Sequence, residues 1–223
     1  YDINTGEYMI GAARDIDIAG QVKTNLKMKD YVENQIGLRN PFDYFQAGVL
    51  ILNLKAFRAG ITTDELLKTA SEKEWKCHDQ DVLNHVCRGR VYYIPQRWNV
   101  VMNWKEQNYS REQFLRKSPA DLYLEWLEAR KQPRIVHFAG YQKPWNVPSC
   151  DMALSFWNYA RKTPYYEAII MKNNGFDEQK ISRLKRASGK KTLLQGGIQC
   201  VADHGIVYTY KLMLKKIQNR FHL

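Results

Sequence analysis

Four short apolar runs, residues 8–13, 48–54, 91–95 and 134–138, punctuate the chain, each bounded by turn-forming or polar residues. Runs of this length read as buried strands. Between them the apolar spacing turns helical. Thr62-Thr63-Asp64-Glu65 spells a capping box, in which the Thr62 hydroxyl meets an amide that Glu65 reciprocates; the helix is predicted to run to about Glu74. Residues 79–87 follow, with Val82, Leu83 and Val86 on one face and Asp79 placed to cap the helix start. Ser118-Pro119-Ala120-Asp121 opens another helix, with Leu122, Trp126 and Leu127 inward and Arg130 and Lys131 at its basic end. Strands alternating with helices predict an α/β sheet with helices on its faces. Residues 16–32 have no clear period and are expected to form a mobile loop with a helical start.

The sequence changes character near Lys180. Residues 180–223 hold ten lysines and arginines against one acid, Asp203, which is +9 of the chain's formal +11. The preceding residues are nearly neutral, so the basic feature belongs to an extension and not to the folded body. Tyr210, Met213, Leu214, Ile217 and Phe221 recur at helical spacing, flanked by Lys211, Lys215, Lys216 and Arg220. That is the pattern of a basic amphipathic helix. It either packs on the body or docks on an anionic membrane surface; binding of nucleic acid rests on charge alone and ranks last.

Apolar residues make up 44% of the chain and aromatics 13%, enough for a core and well above the content of a disordered chain. The longest apolar run, 47–52, is far too short to span a bilayer. The first ten residues carry acids and lack the basic-then-apolar pattern of a signal peptide. Cys77, Cys87, Cys150 and Cys200 are widely spaced with no zinc-binding pattern, and are expected as free thiols in a reducing compartment.

Three segments carry candidate chemistry. In His137-Phe138-Ala139-Gly140-Tyr141-Gln142-Lys143-Pro144-Trp145 a strand delivers His137 at its C-terminal end, the edge where ligands sit in open α/β sheets. Gly140 allows backbone to approach a ligand, and Lys143 adds a point charge fit for a phosphate. Such a histidine is either a satisfied structural residue or part of a metal-plus-phosphate site. In Phe45-Gln46-Ala47-Gly48-Val49 a polar residue and two small ones lead into a buried strand, which either leaves room for a ligand or is an ordinary strand start. In Asp79-Gln80-Asp81-Val82-Leu83-Asn84 the paired acids suit metal ligation, acceptance of sugar hydroxyls, or simple capping. P-loop, dinucleotide-binding and hydrolase-elbow motifs are missing.

Taken together and in this order, the three segments resemble glycosyltransferase family 8, retaining transferases that use nucleotide sugars, in particular bacterial lipooligosaccharide glucosyl- and galactosyltransferases. The family pattern is F-N-A-G-V-L-L-I-N-L, then D-Q-D-x-L-N, then H-x-x-G-x-x-K-P-W, and the resemblance runs from about Tyr8 to about Trp157. It implies a GT-A-like nucleotide-sugar sheet, with residues 1–160 as the C-terminal part of the catalytic domain and 161–223 as a basic helical extension. It implies Mn²⁺ (or Mg²⁺) held by a D-x-D pair together with His137, and donor diphosphate contacts from Gly140 and Lys143. Asp79 would accept donor hydroxyls and Gln80 would face the anomeric carbon, making these the catalytic pair. Gln46, Ala47 and Asp15 would complete the donor-sugar subsite. The implied donor is UDP-glucose or UDP-galactose. The implied acceptor is a saccharide or glycolipid of the lipopolysaccharide type, with the enzyme peripheral on the inner face of the cytoplasmic membrane. A catalytically weak nucleotide-sugar-binding relative, acting as a membrane- or partner-binding module, is the alternative.

Two positions depart from the pattern. The family's asparagine in F-N-A-G is Gln46, whose extra methylene displaces the amide by about 1.5 Å; altered sugar choice or slower turnover is expected. No D-x-D precedes the first strand, and Asp15-Ile16-Asp17, which has the spelling, follows it. The chain is therefore expected to begin just downstream of the family's D-x-D and to lack most of the nucleotide-binding half. With an amide at Gln80 where a glycosidase would place a nucleophilic carboxylate, the resemblance favours same-face attack by the acceptor hydroxyl, assisted by the leaving diphosphate.

Overall fold

The computed structural model describes residues 3–106 and 109–175. The basic extension and its stripe at Tyr210 to Phe221 lie outside the described residues. Strand β1 (Ile10–Arg14) is buried along nearly its whole length, as its unbroken Ile-Gly-Ala-Ala run requires of a central strand covered on both faces. It leads into α1 (Ile16–Thr24), α2 (Leu26–Asp30) and a π-helical turn, Tyr31–Ile36. Next come β2 (Phe45–Leu52), α3 (Leu54–Gly60), α4 (Thr63–Ser71), α5 (Asp79–Val86) and β3 (Val91–Tyr93). Strand β4 (Val100–Val101) is followed by a hairpin, β5 (Lys105–Glu106) with β6 (Tyr109–Ser110), then α6 (Arg111–Leu115), α7 (Ala120–Lys131), β7 (Val136–His137) and α8 (Ala153–Ala160). The chain divides into two compact units at residue 166; of the second, only the helix α9 (Tyr166–Asn173) that opens it and the turn after it are described.

The main sheet has the order β2-β1-β3, with β1 antiparallel to β2 and parallel to β3. A second, two-stranded parallel sheet pairs Val100 with Val136 and Val101 with His137. The pairing of β1 with β2 is interrupted: Ala12 faces Leu50 but Arg14 faces Phe45, so four residues of β2 stand against one of β1. This bulge frees 46–49 from the ladder, and bulges commonly re-aim side chains toward a site.

Residues 16–32 are not a mobile loop. Asp15 caps α1 by accepting the amides of Asp17 and Ile18 at 2.9 and 3.0 Å. Ile18, Val22, Tyr31, Val32 and Ile36 then join Tyr44, Trp75 and Val82 in one core cluster. The helical period was obscured because the segment breaks at Asn25, whose extended backbone ends α1 and opens α2, a five-residue helix with no buried side chain. Smaller corrections follow from local causes. The capping box at Thr62 and Glu65 forms, but α4 ends at Ser71 and not near Glu74. Leu127 is 38% exposed, whereas Leu122 and Trp126 are buried. The cap position of α5 is His78, at φ 50° and with no side-chain capping bond, so Asp79 is the first helical residue and not the cap.

Candidate active site

Two hydrogen-bonded networks meet at the β2 bulge. In the first, Gln80 on the opening turn of α5 donates from Nε2 to Asp15 Oδ2 at 2.9 Å and accepts the Ala47 amide on Oε1 at 2.9 Å. One side chain thus ties the start of α1, the start of α5 and the bulge together. In the second, Gln46 Oε1 accepts from Asn99 Nδ2 at 3.1 Å and from the Gly48 amide. Asn99 Oδ1 lies 3.0 Å from His137 Nδ1, which turns the other ring nitrogen, Nε2, away from that bond.

Ala47 and Gly48 join the two networks, and Gly48 is small for a steric reason. A Cβ on Gly48 would lie 1.9 Å from His137 Cε1, so the imidazole rests on the glycine backbone. Gly140 is required twice over: its φ is +94°, and a Cβ there would meet Trp104 Nε1 at 2.8 Å. Lys143 curls back so that Nζ donates to the Phe138 carbonyl and closes the turn after β7. Asp79 is exposed at the start of α5, and among the described residues its carboxylate accepts no hydrogen bond.

The second acid of the D-Q-D segment has a different part. Asp81 is fully buried and accepts the hydroxyls of Tyr31 and Tyr44 and the Cys77 amide, at 2.7 Å for Tyr31 and for Cys77. It braces α5 against the π-helical turn and thereby fixes where Gln80 points. Asn84, one turn on, does the same for β2 by accepting the Phe45 amide and donating to its carbonyl, both at 2.8 Å.

Asn99 and Arg111 were not identified from the sequence. The sign that could have marked Asn99 is a lone amide leading into Val100-Val101-Met102, an apolar run where a polar side chain needs a partner. Arg111 is buried and reaches Asp17 at 3.0 Å, the Met102 carbonyl at 2.9 Å and the Ala139 carbonyl at 3.4 Å. It pins α1 and the exit of β4 to the turn that carries Gly140.

The electrostatics follow from burial. Desolvation, then the charges of Lys143 and Arg111, push the His137 imidazole down to about 4, so it is neutral at pH 7. Burial and Arg111 also hold the Lys143 ammonium below its ordinary value. Asp15 is pushed up to about 6, first by burial and then by Asp17, against the lowering effect of its hydrogen bonds.

That last shift has a measurable sign. The folded state keeps the Asp15 proton to about pH 6, the unfolded chain only to about 3.8. Stability from this group is therefore greatest below about pH 4 and falls as pH rises to about 6, by on the order of 3 kcal/mol. Asp15→Ser retains an N-cap acceptor and removes the titration. Urea unfolding of both chains should show the wild-type advantage shrinking between pH 4 and 6 and flat above; a constant difference across that window would contradict the assignment.

The sequence profile described as Glycosyl transferase family 8 matches residues 1–147. The chain belongs to that family. General stress protein A of Bacillus subtilis (strain 168) is 28% identical over 152 residues, covering 66% of this chain and 46% of that protein. Lipopolysaccharide 1,2-glucosyltransferase of Escherichia coli (strain K12) is 26% identical over 119 residues, covering 52% and 32%. Among solved structures, the bifunctional glycosyltransferase WbbM in its apo form superposes with a TM-score of 0.69 at 30% identity, covering 77% of this chain and 31% of that one. This family 8 chain thus spans less than half the length of these curated relatives. Its fold is mixed α/β and GT-A-like, as the motifs implied. The profile covers both networks, including the family 8 segments at Gln46, Gln80 and His137.

Proposed function

We propose that this chain forms the sugar-handling part of a retaining hexosyltransferase, which moves glucose or galactose from its UDP donor to a saccharide of the lipopolysaccharide type. The observation that carries the reading is the Gln80 bridge: in a family 8 chain, one amide is locked between Asp15 and the Ala47 backbone, beside an imidazole seated on Gly48. A reacting sugar needs groups that do not reorganise as charge develops, and a side chain held at both ends meets that need.

The family resemblance implies a divalent ion. Among the described residues no three His, Cys, Asp or Glu side chains gather as a metal site. The donor set fits the ion in one position only: His137 is neutral and has a ring nitrogen turned away from Asn99, suited to Mn²⁺ alongside oxygen ligands from outside the described residues. When bound, the ion would offset negative charge growing on the leaving diphosphate. Lys143 and Gly140 would bind that diphosphate through the ammonium and the open backbone. Asp79 would hold donor hydroxyls, and Gln80 would face the anomeric carbon on the side from which the acceptor hydroxyl arrives.

Asp79→Asn tests the sugar subsite. A hydrogen bond to a charged group contributes about 1.5–3 kcal/mol. Transfer by the full-length protein, assayed with Mn²⁺ and a panel of nucleotide sugars, should therefore fall about tenfold or more, with UDP affinity nearly unchanged. Because Asp79 does not cap α5, stability should stay within about 0.5 kcal/mol. A large loss of stability with full turnover per folded molecule would count against the assignment.

The second reading, a catalytically weak binding relative, is favoured by Gln46 standing where the family has asparagine. The same assay separates the two: donor binding without transfer or donor hydrolysis supports the binding protein.

No helix among the described residues is long and apolar enough to cross a membrane. The basic extension is proposed to dock the enzyme peripherally on the inner face of the cytoplasmic membrane, since each lysine or arginine near an anionic surface adds about 1 kcal/mol. The chain should sediment with anionic vesicles, not neutral ones, and salt should release it. Equal sedimentation by a chain ended near Gly189 would defeat this part.

A further inference from the structure

The proton on His137 is decided by a backbone amide that lies in another strand. The Gly48 N–H is a donor and cannot be turned around. It meets Gln46 Oε1, so the end of the Gln46 amide at that point must be its oxygen. The same oxygen lies 3.1 Å from Asn99, which must therefore present its NH₂ there. Asn99 is left with only its carbonyl oxygen for His137, 3.0 Å from Nδ1. An oxygen acceptor at that distance requires a proton on Nδ1. Turning Asn99 over would set two carbonyl oxygens face to face at Gln46 and direct the NH₂ at the ring. Amide orientation and histidine tautomer are ordinarily open choices; here a fixed backbone donor removes both.

We propose that Asn99 is a positioning residue, anchored by Gln46, that holds His137 in the Nδ1–H form and presents the Nε2 lone pair to whatever the site binds. The seating of the ring on Gly48 and the burial of Asn99, only 1% exposed, keep water from substituting for the amide. The arrangement gives Gln46 a use that a shorter side chain would not serve in the same way: its amide reaches both its own strand and Asn99. A metal-binding histidine commonly has its other nitrogen held by such a partner, which fixes ring orientation as well as tautomer. That Nε2 meets a metal or donor rests on the transferase reading. The tautomer does not, because it belongs to the metal-free chain.

The test is ¹⁵N NMR of the full chain labelled at histidine, at neutral pH and without metal, with His137→Gln used to assign the His137 signals among the five histidines. Wild type should show an Nδ1–H to Nε2–H ratio of about 10 to 1 or higher. Gln46→Glu, which keeps both acceptor contacts, should preserve it. Gln46→Leu and Asn99→Leu should bring the ratio to about 1 to 1 or below. His85 provides the internal control, because its Nδ1 lies 2.9 Å from the Ile36 carbonyl in a separate part of the core. A variant that loses the His85 signature has not folded; should Asn99→Leu fail in this way, the contrast between Gln46→Leu and Gln46→Glu decides. An Nε2–H form in wild type would overturn the proposal. So would an unchanged ratio in the folded leucine variants. Absence of sugar transfer with the Nδ1–H form intact would count against the function alone.

Discussion

In the full-length protein, His137→Ala is expected to lower sugar transfer by about 100-fold or more and to weaken metal-supported donor binding in parallel. The imidazole is the only group in either network with a nitrogen lone pair turned away from the protein bonds, and it is neutral at pH 7 because burial and two neighbouring cations disfavour its charge. If His137 holds the proposed divalent ion, its loss would remove one ligand of that ion, so binding and turnover should fall together and not separately. Donor affinity measured with Mn²⁺ and again with a chelator distinguishes this from a packing defect. In wild type the chelator should weaken donor binding; in the variant it should have little further effect. A variant that keeps full metal-dependent donor affinity would show that His137 is a structural histidine.

Gly48→Ala should be nearly as damaging, although it adds a single methyl group at an exposed strand position. The new Cβ would lie 1.9 Å from Cε1 of His137, 2.5 Å from Nδ1 and 2.6 Å from Nε2, far inside contact distance. Either the bulge or the ring must move. Moving the bulge pulls Ala47 from Gln80; moving the ring breaks the bond to Asn99. Overpacking of this kind costs about 1–3 kcal/mol of stability. A displacement near 1 Å at reacting groups lowers rate by about 100-fold. Thermal unfolding should therefore show a modest fall, and transfer assays a large one. Activity within about twofold of wild type would mean that the glycine is a neutral strand residue.

Both predictions depend on residues that the sequence made visible and on contacts that it did not. The three motifs were legible through their order and their resemblance to the family pattern; singly, small residues at a strand start, acids at a helix start and a histidine after a strand each have an ordinary structural reading. The strands of the main sheet were legible from apolar runs, but only β1 is buried nearly throughout; β2 is largely half-exposed, and the run at 134–138 gives β7, which pairs with β4 in a separate sheet. The helical segment after β1 was missed because it is two short helices broken at Asn25, and the second buries no side chain, so no single apolar period runs through it. The alternative reading of Asp79 as a helix cap fails by one residue, because nothing in the spelling marks His78 as the residue that takes a positive φ.

By itself, then, the sequence determined the alternation of strands and helices and the family motifs, which are local properties of residue type and spacing; the sugar and diphosphate roles are what the family resemblance implies. Only the tertiary structure decided which of them act together. The bulge in β2 is a mismatch between two strands and has no spelling in either. The contacts of Gln80 with Asp15 and of Asn99 with Gln46 and His137 span 65, 53 and 38 residues of chain. The reason is physical: a hydrogen bond between distant segments is specified by where packing leaves each backbone, and a single residue's identity does not carry that information.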